Sequence, residues 1–213
     1  MKRILALSLA LLLLLSLTGC NGDAGKLAGT WTGQIDDAAR INQLLEAAYG
    51  EEMAQYWKVE SFPVTIYMTF RSNGTYSQTV DKDQLNASMD QLKQVLSNGL
   101  TAFLQDLITA SKTDITVEEL MQQLNISVDD LLNSAFSDKS ISEVEREYTF
   151  EGKFEAQDGR LYTSTGTNVG VDKNWYETYE LSGDTLTLLA LVCEEEGTVV
   201  DQSRYPITLT RTN

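Results

Sequence analysis

Two hydrophobic periods divide this chain. From Ser61 to Phe70, the residues Phe62, Val64, Ile66, Met68 and Phe70 alternate with Pro63, Thr65, Tyr67 and Thr69. A period of two puts every second side chain on one face, so the segment predicts a strand with one apolar side. Ser72-Asn73-Gly74 supplies a tight turn and Thr75–Val80 returns, which together predict a hairpin. An earlier strand is predicted over Gly29–Ile35, with Trp31, Gly33 and Ile35 on one face. The same period resumes at Tyr148 and runs to Ala156, and Asp158-Gly159 turns the chain into Arg160–Thr165. Trp175–Leu181 follows, with Trp175, Tyr179 and Leu181 on one side; Ser182-Gly183-Asp184 leads into Thr185–Cys193. After the acidic loop Glu194–Gly197, the last strand is predicted over Tyr205–Arg211.

Between these strands the period lengthens to that of a helix. Ile41, Leu44, Leu45, Ala48 and Met53 predict one helix from about Asp37 to Tyr56, with Asp36 or Asp37 as its cap. Residues 81–145 form a second helical block. Leu85, Met89, Leu92, Leu96, Leu100, Phe103 and Leu107 recur every three or four positions. Three Ser/Thr-x-x-acid starts follow, at Thr116-Val117-Glu118-Glu119, Ser127-Val128-Asp129-Asp130 and Ser140-Ile141-Ser142-Glu143. Each reads as a capping box, in which the hydroxyl meets backbone N–H groups that the first turn leaves without partners.

The sum is a mainly β chain with α insertions: about eight antiparallel strands, a helix after strand 1 and a helical block after strand 3. An open meander of this size leaves exposed edges, and closure into an up-and-down barrel removes them. Eight strands enclose just enough space for side chains, or for one small ligand.

The first twenty residues obey neither period. Lys2 and Arg3 precede an apolar run, residues 4–17, broken only by Ser8 and Ser16. That run of about 14 residues falls short of the roughly 20 that a membrane-crossing helix needs, and a basic start before it fits a secretory signal. Leu17-Thr18-Gly19-Cys20 ends the run. It resembles the lipobox of bacterial lipoproteins, which implies thioether attachment of a diacylglyceryl group at Cys20 and removal of residues 1–19. The organisation expected is a signal peptide over 1–19, a lipidated tether over 20–26 and a barrel domain over 27–213. The six residues after Cys20 reach at most about 20 Å, which would hold the domain close to an extracytoplasmic bacterial membrane surface.

Charge narrows the partners. With 31 acidic and 16 basic side chains the formal net charge is −15. Nucleic acid binding needs a basic footprint, and docking on anionic lipid needs the same, so the membrane is expected to be reached through the lipid alone. The chain has no His, which excludes Ser-His-Asp and Cys-His catalysis and the commonest metal ligand. With Cys20 lipidated, Cys193 has no disulfide partner. No metal or cofactor motif is present, and a non-enzymatic role is expected.

The chain also resembles the lipocalin-like bacterial lipoproteins. The resemblance rests on Gly29-x-Trp31, on Phe70-x-x-Asn73-Gly74-Thr75-Tyr76, on Tyr179-x-Leu181-x-Gly183-Asp184-x-Leu186-x-Leu188 and on Arg211 in the last strand. It implies that Trp31 closes the barrel bottom and that Arg211 packs across it.

Two functions of different class follow. One is a lipid-anchored binding protein holding a small apolar or amphipathic ligand, with Tyr67, Trp175 and Tyr179 lining the mouth of the barrel and the helical block as lid. The other is a structural envelope lipoprotein with a filled barrel, whose helices dock a partner protein. Interior volume separates them, and bulky inward residues (Trp31, Phe62, Phe70, Phe150, Phe154) favour the filled barrel. The paired acids Glu51-Glu52, Glu118-Glu119, Asp129-Asp130 and Glu194-Glu195-Glu196 read as helix starts and solvated turns, where negative charge favours the helix dipole.

Overall fold

The computed structural model describes residues 23–136, 138–195, 198–201 and 203–212. Cys20 and the signal-like run lie outside the described residues. Nine strands form one antiparallel sheet: β1 (Gly29–Asp36), β2 (Pro63–Phe70), β3 (Thr75–Val80), β4 (Phe150–Gln157), β5 (Arg160–Thr163), β6 (Trp175–Ser182), β7 (Thr185–Cys193), β8 (Thr198–Asp201) and β9 (Ile207–Thr212). Consecutive strands pair from β1 through β7, and β9 pairs with both β7 and β1. The result is a closed eight-stranded up-and-down barrel.

β8 is the strand that sequence reading missed. Thr198–Asp201 is four residues long and carries its two valines side by side, so it shows no alternation. It extends the sheet at one end: β7 pairs with β9 through Thr185–Leu188 and with β8 through Leu191–Cys193.

The helices are α1 (Asp23–Leu27), α2 (Ala38–Tyr49), α3 (Glu51–Ala54), α4 (Lys82–Ala110), α5 (Val117–Leu124), α6 (Val128–Ala135) and α7 (Asp138–Tyr148). The single helix expected from Asp37 to Tyr56 is two, interrupted at Gly50. Thr116 makes a complete capping box with Glu119, and the Ser127 hydroxyl accepts from the Asp130 N–H at 3.0 Å. The third predicted cap falls inside α7, which begins at Asp138 and carries Tyr148 as its last residue rather than as the first of a strand. α4 docks beside the start of β2: Gln84 accepts from the Thr65 N–H and Ser88 donates to the Pro63 carbonyl, satisfying groups beyond the reach of β3. Among the described residues no helix is long and apolar enough to cross a membrane.

The two ends of the barrel differ. At one end the β2–β3, β4–β5 and β6–β7 turns are tight, each with a positive-φ glycine (Gly74, Gly159, Gly183). α1 closes this end, with Leu27 buried and Asp23 accepting from the Asp158 N–H at 3.1 Å. Residues 23–26, expected as part of a tether, are therefore helical and packed against the barrel floor. Trp31, Phe70 and Phe154 fill the space above it, with Phe70 and Phe154 edge to face at 4.9 Å. All the longer connections, including α2 to α7, lie at the opposite end.

Candidate functional site

The end that carries the long connections is hollow. A partly open cavity of about 250 Å³ enters the barrel there, walled by Ile35, Ile66, Met68, Phe150, Leu188 and Ile207. These come from inward positions on five strands, the same alternation that packs Trp31, Phe70 and Leu209 at the other end. The expectation of a filled interior thus holds for half the barrel. Below, Trp31, Phe70 and Phe154 are mutually packed; above, aromatic residues line the walls and the shorter Thr163, Thr165 and Gln78 leave room between them.

Polar groups enter this cavity at few points. Glu177 projects from β6, and the Tyr205 hydroxyl donates to its Oε1 at 2.6 Å. Glu177 is half-buried and forms part of the cavity lining. Burial raises its pKa above the ordinary glutamate range, while the Tyr205 hydrogen bond acts in the opposite sense. Arg204, Tyr148 and Tyr76 also line this space. The folded state binds the Glu177 proton more tightly than the unfolded state, so this group's contribution to stability is full below the ordinary glutamate pKa. It is lost as pH rises through the raised value. Glu177→Gln is expected to abolish that decline, seen as a flatter plot of unfolding free energy against pH between about pH 4 and 8. An unchanged slope would show that Glu177 titrates normally.

A buried ionic cluster holds the cavity's rim. Asp37, its side chain fully buried, accepts from Arg204 Nε at 2.5 Å and Nη2 at 2.6 Å, and the Tyr148 hydroxyl donates to its Oδ2. Arg40 Nε lies 3.6 Å from Asp37, and Arg40 Nη2 meets Glu147 at 2.6 Å. Burial pushes the Tyr148 hydroxyl far above the ordinary tyrosine range and the neighbouring Asp37 pushes it further, so it stays a donor. Asp37 holds the N-cap position of α2, but its side chain makes no capping hydrogen bond; the neighbouring Asp36 carboxylate instead accepts from the N–H groups of Ala38 and Phe62 at 3.0 and 2.9 Å.

The three aromatics predicted at the mouth separate. Trp175 lines the cavity, 43% exposed at its rim. Tyr179 is buried further down, near Asp23, where burial raises its pKa. Tyr67 stands on the outer face of β2, its hydroxyl 3.4 Å from Asp81 beside the start of α4. The alternation that turns Ile66 and Met68 inward turns Tyr67 outward.

At the floor, the Arg211 guanidinium lies 4.1 Å from the Trp31 ring. Arg211 also donates to the carbonyls of Ala28 and Lys26. Gly29 permits this approach, since a Cβ there would stand 2.7 Å from Arg211 Nη1. Cys193 is buried and free. Among the described residues no group of His, Cys, Asp and Glu is placed to hold a metal ion.

Fold and site together define a closed antiparallel β-barrel with a half-filled interior, an architecture suited to binding. Comparison with family models, with curated protein sequences and with solved structures returns no match.

Proposed function

We propose that this chain is a lipocalin-like, lipid-anchored binding protein of the bacterial cell envelope that holds a small, largely apolar ligand in the open end of its barrel. The observation that carries the reading is the cavity at the barrel mouth, with mainly apolar walls and the carboxyl groups of Glu177 and Glu147 in its lining. An apolar cavity of 150 Å³ takes up a benzene-sized molecule, so about 250 Å³ suits one of roughly ten non-hydrogen atoms.

Anchoring is supported by the lipobox-like Leu17-Thr18-Gly19-Cys20. Only Asn21 and Gly22 separate Cys20 from α1, which packs on the closed end. A lipid at Cys20 would turn the closed end to the membrane and the mouth to the aqueous side, so the ligand would arrive from solution.

Native mass spectrometry of the chain from the membrane fraction of its own host tests both parts. The expected spectrum shows a chain cut before Cys20, carrying a diacylglyceryl group and retaining a small molecule. That molecule should be lost from Leu191→Trp, which fills the cavity. An uncut chain would overturn the anchor, and an empty one the ligand.

The alternative is an interaction protein docking a partner through its helices. It is favoured by an apolar groove of about 280 Å³ between α2, α4 and α6, lined by Tyr49, Trp57, Leu96, Leu100 and Leu131. An empty barrel that retains a protein in the same spectrum would select it.

A further inference from the structure

We propose that the ligand of this cavity is an organic cation, a protonated amine or quaternary ammonium on an apolar body, whose charge pairs with Glu177. The proposal rests on the binding reading above and names the ligand class for the same site.

With Glu177 ionised, the charges around the mouth do not balance without it. Glu147, Glu177 and Arg204 line the cavity and Asp37 and Arg40 join them at its rim, three acids against two cations. Arg204 is committed to Asp37 through two hydrogen bonds, and Arg40 to Glu147. Glu177 enters none of the ion pairs among the described residues, and its hydrogen bond from Tyr205 comes from a neutral donor. Burial accordingly favours its protonated form. A ligand cation supplies the missing charge, and in exchange the carboxyl proton leaves to solvent.

The walls suit such a ligand. Trp175, Tyr176, Tyr205, Tyr148, Phe150 and Tyr76 bring six aromatic rings to the cavity, and a cation gains from aromatic surroundings as an anion does not. The field of a chain with formal net charge −15 concentrates cations near its surface and repels anions. An anionic ligand would need Arg204, and taking it would strand Asp37 as a fully buried carboxylate. A neutral hydrogen-bonding ligand satisfies Glu177 but leaves its ionised form uncompensated. Desolvation works against any buried ion pair. Here it is moderated because the cavity is partly open, so water still reaches the pair.

Three one-ring probes of nearly equal size separate these cases: 2-phenylethylamine, 2-phenylethanol and phenylacetate. Each is titrated calorimetrically into the full-length chain at neutral pH, with the Trp175 indole N–H resonance reporting location. The amine is expected to bind at least about tenfold more tightly than the alcohol, with phenylacetate weakest. In Glu177→Gln the amine should fall to the alcohol's affinity. If the alcohol or phenylacetate matches the amine in the wild-type chain, the cation is overturned while the binding site stands. An amine advantage that survives in Glu177→Gln overturns Glu177 as the partner. If no probe moves the Trp175 signal, the binding reading itself fails and the proposal with it. The wild-type comparison decides the ligand class even should the variant not fold.

Discussion

Asp37→Ala is expected to destabilise the fold by about 3–5 kcal/mol, measured as a lower urea midpoint at unchanged slope. The carboxylate is fully buried and holds Arg204 by two hydrogen bonds and Tyr148 by a third. Removing it leaves a guanidinium three-quarters covered and a buried hydroxyl, both without their acceptor. Unpaired groups of this kind cost far more than the pair contributes when intact. The ranking of variants is the test. Tyr148→Phe removes one charge-assisted hydrogen bond and leaves the ion pair, so about 2 kcal/mol is expected. Glu147→Ala breaks an exposed pair with Arg40 and should cost less than about 1 kcal/mol. A loss from Asp37→Ala no larger than that from Glu147→Ala would show that the cluster does not hold the rim. The effect should also reach the cavity. Arg204 precedes Tyr205, whose hydroxyl meets Glu177, so loosening the clamp releases the one hydrogen bond that favours the ionised carboxylate.

These two acids were legible in the sequence to different degrees. Trp175, Tyr179 and Leu181 set the inward phase of β6, and Glu177 lies in that phase between them. Strand periodicity alone therefore points a carboxyl group into the barrel, and the signal was available. Asp37 gave no such sign. Its partners are 111 and 167 positions away, and a local pattern assigns an aspartate before a helix to capping. Strand alternation and hairpin turns are local and carried the barrel; the clamp depends on three distant segments, the start of α2, the end of α7 and the chain before β9, meeting at one end, which no window of the chain contains. Tyr67 shows the converse. Its phase, opposite to Phe62 through Phe70, places it outside whatever its aromatic character suggests. The cavity was harder to read. Whether inward residues fill a barrel depends on which heights they occupy: Trp31, Phe70 and Phe154 pack together at the closed end, while at the open one aromatic residues stand around a space that Thr163, Thr165 and Gln78 leave unfilled.

Trp31→Ala is expected to cost about 3–5 kcal/mol, the range for truncating a fully buried aromatic side chain. Three interactions go with the ring: its packing in the floor, the hydrogen bond from Nε1 to the Leu27 carbonyl at 2.7 Å, and the Arg211 guanidinium over its face. Arg211→Ala should cost less, about 1–2 kcal/mol, because Arg211 is partly exposed and its other partners are the backbone of Lys26 and Ala28 and the exposed Asp184. The double variant isolates the stacked pair, for which a coupling of about 0.5–1.5 kcal/mol is expected. Strict additivity would mean that the guanidinium acts on the α1 backbone alone. Hydrogen exchange separates this damage from simple global loss. Both variants loosen the attachment of α1, so amides of residues 23–28 should exchange faster than those of β2 and β3. Equal acceleration everywhere would show that the floor and the walls open as one unit. The distinction matters for function because α1 links the barrel to Cys20. A floor that opens alone frees the barrel's orientation while leaving the cavity intact. On the proposed reading, ligand affinity would then survive in Trp31→Ala while the segment from Cys20 no longer fixes the barrel's orientation.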